Sequence, residues 1–273
     1  MVNENLLRSQ FTTLYNVGIK TMGLTSAYRI RDSYFWNESI GLVVYGPRGY
    51  GKTSYSVHTA AEALMPRGEK PDYEEVKKWI IFTPAEFCKK ILDVSSRQMV
   101  LIWDDAGYWI NRLFWQERFV REALRYMTIA RTQFSCIIFS TPSLRMLPSK
   151  ILDLPDVYRV EITLPRDSVC NPDSANKRYR SAKAMSVWYA ADLSRHGCKN
   201  QWLDRFNALM PNDFFAWYEP KRIEYLKIAQ QLLQDALADK KDWLEKYYDK
   251  VVPTPELLEE LGEIHLQDQT ASQ

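Results

Sequence analysis

Residues 46 to 53 read Gly-Pro-Arg-Gly-Tyr-Gly-Lys-Thr, a complete GxxxxGK[ST] pattern that follows the apolar run Ile40 to Tyr45 and precedes a helical pattern. The chemistry served by this order is phosphate binding. Glycines let the backbone curl until successive N–H groups face one anion, and a helix opening at the end of the turn adds its positive end. Lys52 would set a point charge against the β and γ phosphates and take part in catalysis, and Thr53 would offer its hydroxyl to Mg²⁺. The expected nucleotide-binding set is Gly46, Pro47, Arg48, Gly49, Tyr50, Gly51, Lys52, Thr53 and Ser54, with ATP and Mg²⁺ as cofactors. The plain alternative, an ordinary glycine-rich turn, is disfavoured by the apolar run before it.

A second group of candidates ends the run Met99-Val100-Leu101-Ile102-Trp103-Asp104-Asp105. A segment apolar on both faces suits a central parallel strand, and ligands of open α/β sheets lie at the carboxyl ends of such strands. Asp104, continuing the strand, would hold the water shell of Mg²⁺. Asp105 points differently and would polarise an attacking water. Alone, an Asp-Asp pair reads better as a turn or helix cap; the upstream loop gives it a metal to serve. A further buried run, Ser135 to Phe139, ends in Ser140-Thr141-Pro142. Thr141 becomes a catalytic candidate beside the γ phosphate if that strand neighbours the Asp-Asp strand.

Positioning these groups takes strands that feed one edge and helices that cover the faces. The pattern predicts strands at Ile40 to Tyr45, 78–83, 99–105, 135–139 and 157–164, with a possible further one at 182–190. Helices are expected from Lys52 to about Leu64, from Pro84 to about Val94 and over 117–131. The second has a capping signal in Thr83, Pro84 and Glu86. On the third, Arg118, Arg121 and Arg125 form a stripe that reads as a solvated face, or else as one turned to a neighbouring subunit or a phosphate backbone. Beyond Pro211, Tyr225, Leu226, Ala229, Leu232, Leu233, Ala236, Leu237 and Trp243 describe a long helix. The organisation expected is an N-terminal lead-in over 1–35 laid across the nucleotide edge, a core over 36–192, a helical region over 193–252 and an acidic tail over 253–273.

The 273 residues, 46% hydrophobic and 26% charged, permit a substantial core, which excludes a mainly disordered chain. A net charge of +2 gives no bulk drive toward nucleic acid, so any such binding must come from a local patch or from assembly. Four cysteines without paired spacing, no signal-peptide order and no apolar run of about 18 residues lead to the expectation of a reduced, cytoplasmic protein with no membrane segment. His196, Cys198 and Cys170 are too loosely spaced for a structural zinc site.

The order of loop-bearing strand, helix, strand, helix, Asp-Asp strand, Arg-bearing helix and Ser-Thr strand resembles the P-loop ATPases that insert an extra strand between the strands of their two motifs. That class holds the AAA+ and FtsK/HerA-like enzymes. More narrowly, Trp103-Asp104-Asp105-Ala106-Gly107-Tyr108-Trp109-Ile110, and Ala130-Arg131 through Phe139-Ser140-Thr141-Pro142-Ser143, look like ATPases encoded by archaeal viruses and plasmids, some described as DnaA-like. The resemblance covers about residues 38 to 165. It implies an α/β fold, the P-loop NTPase three-layer sandwich with a mostly parallel sheet, here with a helical C-terminal extension. It also implies a homo-oligomeric ATPase working on DNA, in replication initiation, loading, packaging or transfer, with a replication or packaging protein as a possible partner. By the same analogy Arg131 is the candidate arginine finger supplied to a neighbour's site, with Arg125 second; a plain helix C-terminal charge explains Arg131 equally well. FtsK/HerA-like proteins usually end the sensor strand in Thr-Gln and place Glu beside the metal-binding Asp. Ser140-Thr141 and Asp105 depart from this, which implies slow or assisted hydrolysis. A nucleotide-dependent switch with incidental hydrolysis is the alternative of a different class, and a small-molecule kinase stands third.

Overall fold

In the computed structural model, residues 23–65, 69–114, 116–164, 179–189 and 196–237 are described. The expected acidic tail, the excursion at 165–177, Trp243, Cys170 and the first part of the lead-in fall outside them. The chain order begins α1 (Thr25–Phe35), β1 (Ile40–Tyr45), α2 (Lys52–Leu64), α3 (Tyr73–Lys78), β2 (Ile80–Ile81), α4 (Pro84–Asp93), β3 (Leu101–Trp103) and α5 (Ala106–Trp109). It continues α6 (Arg118–Ile129), β4 (Cys136–Thr141), α7 (Ser149–Leu152), β5 (Val157–Thr163), β6 (Tyr179–Tyr189), β7 (His196–Asn207) and α8 (Asn212–Leu237).

These strands form one seven-stranded sheet in the order β2-β3-β4-β1-β5-β6-β7. The first five are parallel, and β6 and β7 add antiparallel to the far side. β4, later in sequence than β1 and β3, lies between them. Because β1 and β4 are covered on both faces, their sequences are almost wholly apolar, and alternate residues feed two cores. Leu42, Val44, Ile102 and Ile138 join side chains of α1, α2 and α3 on one face, with Phe214 and Tyr218 of α8. Val43, Leu101, Trp103, Ile137 and Phe139 join α4, α5, α6 and α7 on the other. The result is the expected three-layer α/β sandwich with a mostly parallel sheet.

Local signals explain several boundaries. Thr83 Oγ1 accepts from the Glu86 amide while the Glu86 carboxylate accepts from the Thr83 amide. This reciprocal cap on α4 is worth about 1 kcal/mol. α6 runs from Arg118 to Ile129, and its arginine stripe is exposed, with Arg125 paired to Glu122 at 3.0 Å.

Two expectations about the flanks change. Residues 196–207, expected in a helical region, form β7 of the same sheet; among 197–207, where burial is described, only Asp204 and Phe206 are buried, so its apolar signal is weak. The described part of the lead-in, α1, packs beside α2 instead of crossing the nucleotide edge. Arg31 sends its guanidinium to the carbonyls of Ala63 (3.0 Å), Met65 (2.6 Å) and Glu62, at the end of α2 away from the glycine loop. That guanidinium satisfies carbonyls which a helix terminus leaves without partners.

Candidate active site

The glycine loop joins β1 to α2 at the carboxyl edge of the sheet. Gly46 and Gly51 adopt φ of 145° and 88°, a region closed to most side chains, and a Cβ on Gly46 would stand 2.7 Å from the Ile162 carbonyl oxygen. Pro47, Arg48 and Gly49 are exposed, Tyr50 packs partly against the core, and Ser54 is buried at the start of α2. Lys52 is buried and donates from Nζ to the Pro47 carbonyl at 3.0 Å. The ammonium is thus folded over the loop, and burial lowers its pKa against the opposing pull of Asp105 and Asp104.

The sheet register delivers the carboxylates. Trp103 of β3 pairs with Phe139 of β4, so the next residues, Asp104 and Ser140, meet just beyond the strand end. Ser140 Oγ donates to Asp104 Oδ1 at 2.5 Å, and Thr53 Oγ1 donates to Oδ1 and Oδ2 at 3.0 and 3.2 Å. A third hydroxyl, that of Tyr218 in α8, donates to Oδ2 at 2.6 Å. Asp104, only 1% exposed, is therefore enclosed by hydroxyls from α2, β4 and α8. Burial and the negative charge of Asp104 push the Tyr218 phenol far above its usual range, which keeps it a donor.

Asp105 has a different task available. Its backbone turns left-handed at φ 49°, a conformation Asp tolerates better than most residues, and its amide donates to Ser140 Oγ at 2.8 Å. The residue is exposed, yet crowding by protein atoms and the charge of Asp104 raise its carboxyl to about 6, against the pull of Arg222, Lys52 and Arg48. A carboxylate that loses its proton near neutrality suits a general base.

The structure brings Lys52, Thr53, Asp104, Asp105 and the loop together. Thr141 lies at the same strand end but is turned aside: it is fully buried, and its Oγ1 donates to the Ser143 carbonyl at 3.1 Å. Ser140, not Thr141, bonds the Asp104 carboxylate and the Asp105 amide. Arg131 lies elsewhere. It is exposed in a short 3-10 turn before β4, and its carbonyl accepts from Arg97 Nε at 3.0 Å. The six residues of β4 separate that turn from the site, roughly 20 Å at the usual strand rise.

Sequence reasoning missed Ser140, Tyr218 and Arg222 as members of the site. Tyr218, Arg222 and Tyr225 stand at i, i+4 and i+7 on α8, one face of a helix, but nothing in that spacing says which surface the face meets. A second tyrosine fastens the helix: Tyr225 donates to Glu86 Oε1 at 2.6 Å and stacks on Phe82 with ring centroids 4.7 Å apart. The donor set is hard oxygen throughout, one hydroxyl and one carboxylate beside an anion cradle, which fits Mg²⁺ bound mainly through phosphates and water. Among the described residues no group of three or more His, Cys, Asp or Glu is placed to hold a metal by itself. No helix among them is long and apolar enough to cross a membrane.

No family model matches the chain. Part of it is 30% identical, over 124 residues, to the Uncharacterized protein B-251 of Sulfolobus spindle-shape virus 1, a match covering 42% of this chain and 48% of that protein. The chain thus spans about half the length of the curated relative it matches. Among solved structures it is similar to the N-terminal domain of zonular occludens toxin from Neisseria meningitidis, at 14% identity and a TM-score of 0.34, over 65% of this chain and 97% of that one.

Proposed function

We propose that this chain binds ATP with Mg²⁺ at the Gly46–Ser54 loop and hydrolyses it, as an oligomer that serves DNA replication initiation, loading, packaging or transfer in a virus or mobile element. The observation that carries the ATPase reading is the meeting of Thr53 with Asp104, 3.0 Å apart across a chain separation of 51 residues. When bound, the metal ion neutralises charge developing on the β and γ phosphate oxygens. The protein supplies the rest. Loop amides and Lys52 would hold the phosphates, Asp104 would accept hydrogen bonds from water around the metal, and Asp105 would take a proton from the attacking water. Arg222, on the same side of α8 as Tyr218, is the nearby cation in cis; Arg131 is left to act, if at all, on a neighbouring subunit.

The viral setting is supported by the partial match to a spindle-shaped virus protein. Assembly, DNA as partner and a cytoplasmic location come from the resemblance to AAA+ and FtsK/HerA-like enzymes together with the composition. Calorimetric titration with ATP and Mg²⁺ tests the first step: binding is expected for the native chain and is lost in Lys52→Ala. Turnover is then expected to rise with protein concentration and with added DNA. No heat of binding would overturn the ATPase reading, and turnover indifferent to both variables would overturn the oligomer and DNA roles.

The switch reading is favoured by one observation, the Tyr218 hydroxyl of the C-terminal helix on Asp104. On that reading Lys52→Ala loses partner binding and Asp105→Asn keeps both partner binding and biological activity.

A further inference from the structure

Resting on the ATP and Mg²⁺ reading above, we propose that α8 is a metal-responsive gate on the site. Tyr218 holds the donor position on Asp104 that a water of the Mg²⁺ shell takes, and it leaves when metal and nucleotide arrive together.

The argument starts from the capacity of one carboxylate. Two oxygens offer about four acceptor directions. Ser140 uses Oδ1, Thr53 is shared between Oδ1 and Oδ2, and Tyr218 uses Oδ2, while the residue is only 1% exposed. Three hydroxyls closing the residue from solvent leave no open approach, so a water bound to the cation reaches Asp104 by taking the place of one of these donors. Ser140 is fixed by the sheet and also accepts from the Asp105 amide, so losing its bond to Asp104 disturbs the backbone turn at Asp105. Thr53 belongs to the metal site itself. Tyr218 is the donor brought from outside the sheet and the loop, by an element that reaches the site only through side chains. Its departure breaks no backbone pairing.

Leaving the carboxylate moves more than one hydroxyl. Tyr218 packs against Phe82 and Phe214, and Tyr225 is stacked on the same Phe82 while bonded to Glu86. Withdrawal of the Tyr218 ring therefore strains the second fastening, and the occupancy of the metal site is reported along α8. The helix also carries exposed Phe215, Ile223, Leu226 and Leu233 on its outward side, so its displacement moves an apolar surface that a partner can read.

Hydrogen exchange of amides 212–226 in the full chain tests this, with a non-hydrolysable ATP analogue in Mg²⁺ or in EDTA. Exchange is expected to quicken severalfold with the analogue and Mg²⁺ and to stay unchanged with the analogue in EDTA. Calorimetry of Tyr218→Phe should show about 10-fold tighter binding of the Mg²⁺ complex with metal-free affinity unaltered, the scale of one hydrogen bond to a charged group. Tyr225→Phe should loosen the helix without changing metal dependence. Nucleotide binding with no response of α8, or Tyr218→Phe with native metal dependence, overturns the gate and leaves the ATPase reading standing. Failure of the native chain to bind the analogue at all overturns the ATPase reading, and the gate with it.

Discussion

Asp104 and Asp204 are both buried carboxylates that accept a hydrogen bond from a tyrosine, yet their surroundings set them to opposite uses. Asp204, on β7, accepts from the backbone amides of Thr25 and Ser26 at 2.8 and 3.2 Å, from Ser26 Oγ at 2.9 Å and from the Tyr55 hydroxyl at 2.8 Å. It pins the first turn of α1 to the sheet, and Ser26 and Tyr55 also bond each other. Asp104 accepts only from side-chain hydroxyls, and two elements of its cage are the glycine loop's own helix and α8. Backbone amides cannot turn away or accept a hydrogen bond; hydroxyls can do both. A carboxylate held by amides is a fastening, whereas one held by hydroxyls can exchange partners with water around a metal ion.

Three substitutions break or sharpen this contrast. Asp204→Asn sets an amide N–H₂ against donors that cannot reverse, and urea unfolding should show a loss of about 3 kcal/mol. Nucleotide affinity of the remaining folded protein should be native. In Asp104→Asn the surrounding hydroxyls reorient, so the loss is smaller, about 1 kcal/mol. The damage falls instead on turnover, expected to drop by roughly 100-fold or more in a phosphate-release assay. Asp105→Asn should change stability with the opposite sign, and with a pH signature. The carboxyl is raised from 3.8 to about 6 in the folded nucleotide-free protein, so the native state binds more protons than the unfolded chain between those values. Ionised Asp105 thus costs stability above pH 6, and the cost disappears as pH falls through 6 toward 4. Thermal melts should therefore show Asp105→Asn a few degrees more stable than the native chain at pH 7.5, with the two converging near pH 4. A gap that stays constant with pH would remove Asp105 as the group that titrates.

The contrast also explains what could be read from the sequence. The glycine loop is contiguous, and its neighbours β1 and α2 begin and end where the apolar patterning and Pro66 place them. Asp104 and Asp105 were legible because a run buried on both faces stops at them. β4 and β5, also covered on both faces or nearly so, match their expected spans to within two residues. The strand expected over 78–83 shrinks to Ile80–Ile81, since Trp79 caps α3 and Thr83 caps α4. β7 escaped because its inward positions include Trp202, Asp204 and Phe206, a sequence whose polar centre hides the alternation. Asp204 looks like any surface aspartate until its partners, 178 and 149 residues away, are brought to it. Tyr218 is equally silent, because its partner lies 114 residues upstream and helical spacing carries no address.

Pro220 lies inside α8, between the tyrosine on Asp104 and the one on Glu86. Lacking an amide hydrogen, it leaves the carbonyl of Ala216 without the usual rung, and its ring crowds the preceding turn. The helix is thereby jointed at one known place. Movement of the segment bearing Tyr218 therefore reaches the segment bearing Tyr225 through a softened turn, and replacing Pro220 with alanine would stiffen that link.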